Sequence, residues 1–566
     1  MKIKTRAPLG QLLVEKKIIT PEQLDAALRE QKKTKELLGV SLVRLGFISE
    51  EMIYLPILAE HFGVDLVNFK AIEITKEAIE KIPAKFAYHY KVMPVSYQGG
   101  TLTIALTKPL DIHTLDDVGL VAQCRLKSVL ASEKDIMEAI RKYYGVGAET
   151  IEQMMDEAEP QKKSGPVIEN VEEIGSEASI AKFLNQILHE AYKDRATDIH
   201  IEPFEDELRI RYRIDGILYD AKVPANIKHF KDSINSRIKI MSNLNIAERR
   251  LPQDGRFKVR VGDADLDLRV SFLPAAYGES VVIRLLTSAK LYSLEDLGLS
   301  TRELSVLDGL IKKPHGIIFV TGPTGSGKTT TLYSCLSRVN TLERKIITIE
   351  DPIEYQLKGV TQIQVNPAIG LTFAAGLRSM LRHDPDIMMV GEVRDFETAQ
   401  IAIQVALTGH LIFSTLHTND AASAVTRLVD MGIEPYLVSS SVECFIAQRL
   451  VRVICEKCKE EAKITSDIAK EFGLSSDEAS RTMIYAGKGC EACKFTGYYG
   501  RRGIHEFLVV TDAIRDMVVA RKTAGQIKAK AIEQGMATLR QSGWEKVKAG
   551  LTTPGEVIRV TQEETG

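Results

Sequence analysis

One tryptophan in 566 residues, Trp544, and an aromatic share of 6% leave little material for stacking nucleobases. Proteins that hold single strands combine aromatic platforms with a basic groove, and the basic excess is missing as well. Lys and Arg number 74 against 76 Asp and Glu, a net charge of −2, which argues against a nucleic-acid partner. No apolar run approaches the roughly 20 residues of a transmembrane helix. The N-terminus carries no apolar signal core, so a cytosolic chain is expected. Cysteine is scarce and odd in number, seven in all. In a reducing compartment that excludes a disulfide scaffold and points to metal wherever cysteines cluster. The hydrophobic share of 44% and charged share of 27% are those of folded protein, and the length implies several domains.

The stretch Gly322-Pro323-Thr324-Gly325-Ser326-Gly327-Lys328-Thr329 fits the phosphate-binding pattern G-x-x-x-x-G-K-[ST] at every fixed position. An apolar, β-branched run, Gly316 to Thr321, precedes it and reads as a buried strand. Leu332, Cys335, Leu336 and Val339 follow at helical spacing. A strand, a glycine-rich turn and a helix in that order form a cradle: glycines let backbone N–H groups approach phosphate, and the helix aims its positive end at the same anion. Lys328 is expected on the β- and γ-phosphates and Thr329 on Mg²⁺. The candidate nucleotide-binding set runs from Gly322 through Thr330.

In chain order, the first sixty residues hold an internal repeat. Leu9-Gly10-Gln11-Leu12-Leu13-Val14 returns as Leu38-Gly39-Val40-Ser41-Leu42-Val43, and Ile18-Ile19-Thr20 as Phe47-Ile48-Ser49. Thr20 and Ser49 read as helix caps, with Pro21 at a first helical position and Glu50 and Glu51 in a first turn. Apolar residues follow at helical spacing, at Leu24, Ala27 and Leu28, then Ile53, Ile57 and Leu58. Residues 1–65 are read as a helical repeat module for regulation or docking. Residues 66–148 read as a small α/β domain with strands about Gly99-Gly100 and a helix from Glu133 to Tyr144. Residues 149–177 are acidic and carry Pro160, Gly165, Pro166 and Gly175, the composition of a linker. A middle α/β domain, 178–290, begins with a helix (Ile180, Phe183, Leu184, Ile187, Leu188). It continues through Thr197-Asp198-Ile199-His200-Ile201-Glu202-Pro203 to a strand in which Leu208, Ile210, Tyr212 and Ile214 alternate with Arg209, Arg211 and Arg213. From 291 to 566 strand-like runs alternate with helices, predicting a mostly parallel sheet with the site at its carboxyl edge.

Hydrolysis of a phosphoanhydride needs a metal, charge neutralisation and a positioned water. Glu392 is the candidate for holding Mg²⁺, directly or through water. Glu354, in Glu350-Asp351-Pro352-Ile353-Glu354, is the candidate for orienting or deprotonating water. His410 and His417 flank the next strand and either would sense a γ-phosphate; a core or interface histidine is the plain alternative. Arg269 and Arg284 lie on middle-domain strands. Arg378 and Arg382, four apart, are read as sharing one helix face. Planar guanidinium suits phosphate in a transition state, with structural ion pairs as the alternative for any one of them. Cys455-x-x-Cys458 and Cys490-x-x-Cys493 match a closed four-thiolate zinc site. A helical insert, Thr465 to Ser480, lies between the pairs, and redox chemistry is the alternative. Cys124, Cys335 and Cys444 read as core.

Taken together, the phosphate loop, the Thr197–Pro203 and Leu251–Arg256 segments, the Glu350–Glu354 acidic box, Gly391-Glu392, the His410–His417 box and the four cysteines resemble the secretion-superfamily motor ATPases. These are the hexameric, RecA-like enzymes of type IV pilus assembly and type II secretion. The resemblance covers nearly the whole chain. It implies a multidomain α/β fold: a RecA-like P-loop ATPase domain with a zinc-binding insert at 455–493, a PAS-like α/β domain before it, and an N-terminal helical-repeat plus α/β domain. It implies ATP hydrolysis with Mg²⁺, a structural Zn²⁺, Glu354 and Glu392 at the catalytic acidic positions, and Lys328 and His417 at the nucleotide. Arg269, Arg284, Arg378 and Arg382 match arginines near the phosphates or between protomers. The implied partners are a homo-hexamer, an inner-membrane platform protein and a cytoplasmic accessory protein, with no nucleic acid. The implied location is cytoplasmic, peripheral at the inner membrane. A long N-terminal region together with four cysteines resembles the assembly type rather than the retraction type. Pilin polymerisation is the first reading, type II secretion the second and a nucleic-acid motor a distant third. The repeat resembles a module that binds cyclic di-GMP, whose pattern begins Arg-Leu-Gly. Pro8 and Leu37 stand at the arginine positions and Lys17 replaces a glycine that Gly46 keeps, so a docking platform is preferred over a dinucleotide site.

Overall fold

The computed structural model describes residues 10–561 except 11–12, 15–17, 35–37, 48–54, 56–58, 60–61, 70, 108–111, 152–153, 155–171, 263 and 288–291. Pro8, Leu9, Gln11, Leu12, Lys17, Leu37, Ile48 to Glu51, Ile53, Ile57 and Leu58 of the repeat, and most of the acidic stretch, lie outside the described residues. The chain forms two units, Met1–Leu285 and Leu286–Gly566.

In the first unit, Thr20 caps the helix Pro21–Thr34. Its hydroxyl accepts the Gln23 N–H at 3.3 Å, while Gln23 Oε1 accepts the Thr20 N–H at 2.8 Å, a reciprocal cap that satisfies two donors. Strands β1 (Met93–Gln98) and β2 (Thr101–Leu106) are antiparallel about Gly99 and Gly100, both at positive φ. Strand β3 (Arg125–Leu130) lies parallel to β2. Helix Glu133–Tyr144 covers this sheet with Ile136, Ala139 and Ile140. Cys124, expected in the core, is only half-buried and packs on its edge.

The stretch 149–177, expected as a linker, is shorter. Ile151 and Met154 are buried against Phe183 and Leu184, and helix Glu172–Lys193 already starts at Glu172. Apolar residues three apart were enough to pin an acidic segment to a core. A six-stranded sheet follows, in the order β6-β5-β4-β9-β8-β7. Its strands are β4 (Ala196–Pro203), β5 (Leu208–Ile214), β6 (Ile217–Asp220), β7 (Gln253–Val261), β8 (Ala264–Ala275) and β9 (Gly278–Thr287). Period-two alternation puts Ile199, Ile201, Ile210 and Ile283 in one core and the charges on the other face. There Glu202 takes Arg211 bidentately, at 2.8 Å twice.

The second unit is built on a seven-stranded sheet of order β12-β11-β13-β14-β10-β15-β18. Its strands are β10 (Gly316–Thr321), β11 (Ile346–Glu350), β12 (Val360–Gln364), β13 (Ile387–Val390), β14 (Leu411–Leu416), β15 (Val442–Ile454) and β18 (Tyr498–Val509). Between β15 and β18 lies a two-stranded ribbon, β16 (Lys459–Ala462) with β17 (Ile484–Gly487). Every pairing in the large sheet is parallel except β15 with β18. The central strands are buried throughout, which is why they read as unbroken apolar runs. A parallel order collects all their carboxyl ends at one edge.

His505 on β18 is fully buried, and neither ring nitrogen has a protein hydrogen-bond partner. Burial, with a contribution from Lys546, drives its pKa from 6.5 to about 3. Once unfolded it protonates near its ordinary value, so below that pH the unfolded chain binds the extra proton. Stability is therefore full above pH 6.5 and is expected to fall by about 1.4 kcal/mol per pH unit below it. Denaturant midpoints of wild type and His505→Gln, compared from neutral pH down to about pH 5, check this. The variant should show the flatter slope, and equal slopes would exclude His505 as the source.

Candidate nucleotide site and metal centre

The phosphate loop joins β10 to helix Lys328–Val339, with Gly327 as the helix cap. Gly325 and Gly327 have φ of +81° and +89°, values that glycine adopts without strain. At Gly322 the need is also spatial: a Cβ would lie 2.6 Å from Gln448 O and 2.7 Å from Ser326 Oγ. Such a turn ahead of a helix N-terminus is an anion-binding concavity. Ser326 Oγ is buried with no protein partner, which fits a loop that hydrogen-bonds something other than itself. Pro323, Thr324 and Gly325 are exposed at the tip, and Thr329 and Thr330 are half-buried in the first helical turn. Lys328 Nζ folds back onto the carbonyls of Gly322 (2.8 Å) and Pro323 (3.1 Å). Burial pulls its pKa down to about 8, against the pull of Glu392 and with help from Arg449.

Strand order explains what meets Lys328. Strands β13, β14 and β10 are neighbours, so the residues that follow them converge. Glu392, just past β13, accepts from Arg394 Nε at 2.7 Å and contacts His417 Nε2 at 3.3 Å. With a carboxylate as the other party, the imidazole donates. Burial, then the Lys328 charge, lowers the His417 pKa despite Glu392, so the ring is neutral at pH 7. His410 is different. It precedes β14, its carbonyl accepts the Gly316 N–H at 3.1 Å and its Nδ1 lies 3.1 Å from Val405 O. That is the amino edge of the sheet, the wrong end for phosphate, and His410 drops out as a sensor. In the acidic box, Glu350 is buried among Tyr333, Thr348 and Gln362, whereas Glu354 is half-exposed in the loop beyond β11.

The arginines divide. Arg378 is in helix Phe373–Met380 and pairs with Glu397. Arg382, expected on the same helix face, sits in the tighter 3-10 turn Leu381–His383, where its Nη1 donates to Arg378 O at 3.2 Å. The turn continues the helix directly, and Arg382 Nη2 also donates to Ser379 Oγ at 3.2 Å. In the first unit, Arg284 is 54% exposed and its Nε donates at 2.9 Å to Asp198, which is 8% exposed. Arg269 is half-buried on β8, directly opposite Arg256 on β7.

Two residues beside the loop escaped sequence reading. Gln448 and Arg449 lie on β15. Gln448 Oε1 accepts from Thr331 Oγ1 at 2.7 Å, and Arg449 Nη2 donates to Asn419 O at 2.8 Å. The signal available was a polar pair inside a long apolar run.

The four cysteines meet. Cys455 follows β15 and Cys490 precedes β18, and the Cys455–Cys490, Cys458–Cys493 and Cys490–Cys493 sulfurs are each 3.8 Å apart. All four lie within 4.8 Å of one another. A tetrahedron with Zn–S bonds of about 2.3 Å has edges of about 3.8 Å, so the set has the span for zinc and is too open for disulfides. Burial alone would raise the Cys493 thiol, but N–H groups of Cys490 (3.1 Å) and Gly497 (3.3 Å) outweigh it and bring it to about 7. Such donors to thiolate are the usual outer support of a metal site. The insert between the pairs holds two short helices, Ser466–Glu471 and Ser476–Arg481. Of the remaining cysteines, Cys335 and Cys444 are core.

A family model described as type II/IV secretion system protein matches residues 173–559, and an MshEN domain model matches 62–150. The type IV pilus assembly ATPase PilB of Myxococcus xanthus is 41% identical over 557 residues, covering 97% of this chain and 98% of the relative. The type II secretion system protein E of Xanthomonas campestris pv. campestris is 41% identical over 558 residues, covering 98% of each. Among solved structures, the ATPase DotB of Legionella pneumophila aligns with 68% of this chain and 96% of its own, at 21% identity and a TM-score of 0.49. With its phosphate loop, converging strand ends and near full-length likeness to both relatives, the chain belongs to the type II/IV secretion system protein family and is an ATP-hydrolysing motor.

Proposed function

We propose that this chain works as a hexamer that hydrolyses ATP to power pilin polymerisation in type IV pilus assembly. The observation that carries the chemistry is the meeting of Lys328, Glu392 and His417 at the carboxyl ends of three adjacent strands. Lys328 binds the β- and γ-phosphates within the cradle from Gly322 to Thr330. The Thr329 hydroxyl and Glu392 carboxylate are hard oxygen donors of the kind Mg²⁺ takes, and the metal would supply charge neutralisation at the phosphates. Glu354 orients or deprotonates the attacking water. Neutral His417 has a single N–H, and turning it from Glu392 to the γ-phosphate when ATP is bound lets the ring report that phosphate. Arg269 and Arg284, from the middle domain, and Arg378 and Arg382 add positive charge where the transition state accumulates negative charge. Cys455, Cys458, Cys490 and Cys493 would hold a structural Zn²⁺.

Bound triphosphate is a polyanion that draws one protomer's middle domain and its neighbour's ATPase domain together, and hydrolysis removes part of that attraction. The resulting shear is the motor's output, delivered to an inner-membrane platform protein and an accessory protein. The domain plan supporting this is 1–65 for docking, 66–148 as a small α/β domain, a linker within 149–177 that excludes Ile151, Met154 and the helix from Glu172, 178–290 as the PAS-like middle domain and 291–566 as the ATPase. The chain acts from the cytoplasm at the inner membrane; among the described residues no helix is long and apolar enough to cross a membrane. The first sixty residues are read as a docking platform, with cyclic di-GMP binding as the alternative that a titration of the chain with that dinucleotide tests. Likeness to the Xanthomonas protein E supports pseudopilus assembly in type II secretion as the second reading. A steady-state phosphate-release assay combined with light scattering tests the core of the proposal. Turnover by a particle of roughly six chains, unstimulated by single-stranded DNA, is expected. A monomer that releases no phosphate would overturn it. Loss of pili, as against loss of exported proteins, in a deletion strain separates the two cargoes.

A further inference from the structure

The loop that carries Glu354 has no secondary structure of its own, yet the second unit grips it from three directions. Tyr333 is fully buried on the helix that begins at Lys328, and its hydroxyl donates to buried Glu350 at the end of β11. The same hydroxyl oxygen takes the backbone N–H of Glu354. Gln362, on β12, donates from Nε2 to Glu350 Oε1 (3.1 Å) and to the Tyr355 carbonyl (3.1 Å), while its Oε1 accepts the Leu357 N–H (2.7 Å). The Tyr355 ring stands edge-on to Tyr333, with centroids 4.5 Å apart. Thr348 Oγ1 completes the donors to Glu350. Backbone groups at 354, 355 and 357 are thus tied to one buried carboxylate through two side chains.

Glu350 was conspicuous in the sequence as part of an acidic box, but a carboxylate sealed under three donors is not available to a metal or a water. Its place in the network is that of an anchor. A buried polar network with every member satisfied is rigid, and a general base must be held to a fraction of an ångström to be effective. We propose that Tyr333 and Gln362, joined through Glu350, are positioning residues that hold the Glu354 loop in register with the phosphate-loop helix, so that the base and the bound phosphates share one rigid frame. The inference rests on the assignment of Glu354 as the residue that orients or deprotonates water.

Tyr333→Phe keeps the ring and removes the hydroxyl, and Gln362→Met keeps the side-chain length and removes the amide. Each is expected to lower kcat roughly 10- to 100-fold while KM for ATP and affinity for ADP stay within about twofold. A loss of fold or of the nucleotide pocket would instead move KM and ADP affinity. In a Glu354→Gln background Tyr333→Phe should add no more than about a twofold further loss, because residues acting as a unit are not additive. Two results overturn the inference: wild-type kcat in whichever of the two variants folds, or full multiplication of its effect with that of Glu354→Gln. Glu354→Gln on its own is the control on the underlying reading. If it turns over at the wild-type rate, the assignment of Glu354 fails. If it is inactive while Tyr333→Phe and Gln362→Met are normal, only the positioning role fails.

Discussion

Lys328→Ala is expected to cut ATP turnover by roughly 10³-fold or more without lowering the melting temperature. The ammonium group is held inside the loop by the carbonyls of Gly322 and Pro323, so a phosphate oxygen entering the cradle meets a cation that is already positioned and partly stripped of water. A charge in that setting acts at far higher strength than on a solvated surface, and no other side chain on the loop carries one. The stability half of the prediction follows from the same burial. The pKa of Lys328 is drawn down to about 8, with desolvation the largest cause, meaning that the folded protein disfavours this charge when no nucleotide is bound. Deleting it removes that penalty, so the variant should melt no lower than wild type. The sign in pH is also set. The empty site holds the cation below pH 8 and loses it above, so ATP affinity should weaken as pH rises through that value. Phosphate release and a nucleotide titration on one preparation check both halves. A Lys328→Ala protein with full turnover would show that the phosphates lie elsewhere.

Cys455→Ser is expected to reduce zinc from about one per chain to near zero and to loosen the segment from Ile454 to Tyr498. The cysteines sit where β15 gives way to the insert and where the insert returns to β18, so the metal closes the base of a long excursion. Its ribbon, β16 with β17, has four residue pairs, too few to be stable alone, and its two helices have six residues each. Metal bound to such a site is folding free energy, about 10 kcal/mol or more where a small domain depends on it. Metal analysis, limited proteolysis and melting should therefore change together, with new cleavage inside 455–493. The phosphate loop follows β10, whereas the sulfurs flank the insert between β15 and β18, so nucleotide binding should outlast the metal. Zinc retained at the wild-type level would exclude Cys455 as a ligand.

Much of this site is legible in the amino-acid sequence alone. The eight residues from Gly322 to Thr329 are contiguous, and their chemistry depends on a turn that their own glycines permit. The two C-x-x-C pairs are each local as well, and thiolates have few other uses at that spacing. Fully buried strands announce themselves as apolar runs, and the run Gly316 to Thr321 is β10 residue for residue. Legibility stops where a position depends on the far side of the sheet. His410 and His417 are equivalent as residues flanking a strand. They differ because β14 runs parallel to β10, which sends one to the amino edge and the other to the phosphate edge. Arg378 and Arg382 have helical spacing, but only the structure shows that the helix tightens at Leu381 and that Arg382 turns back onto the Arg378 carbonyl. Ile151 and Met154 are two apolar residues in an acidic stretch, and only a core to receive them made them structural.

Local chemistry was written in the order of the residues: a phosphate cradle, a thiolate set, and strands whose β-branched side chains have no use outside a sheet. Strand order was not, because adjacency in a parallel sheet is settled by how crossover helices pack rather than by any single segment. That order alone brings Glu392 and His417 to Lys328, slides Gln448 and Arg449 beneath the loop, and ties the Glu354 segment to Tyr333 through Glu350 and Gln362. These contacts join residues on different elements, and their free energy exists only once the sheet has assembled and excluded water from between them.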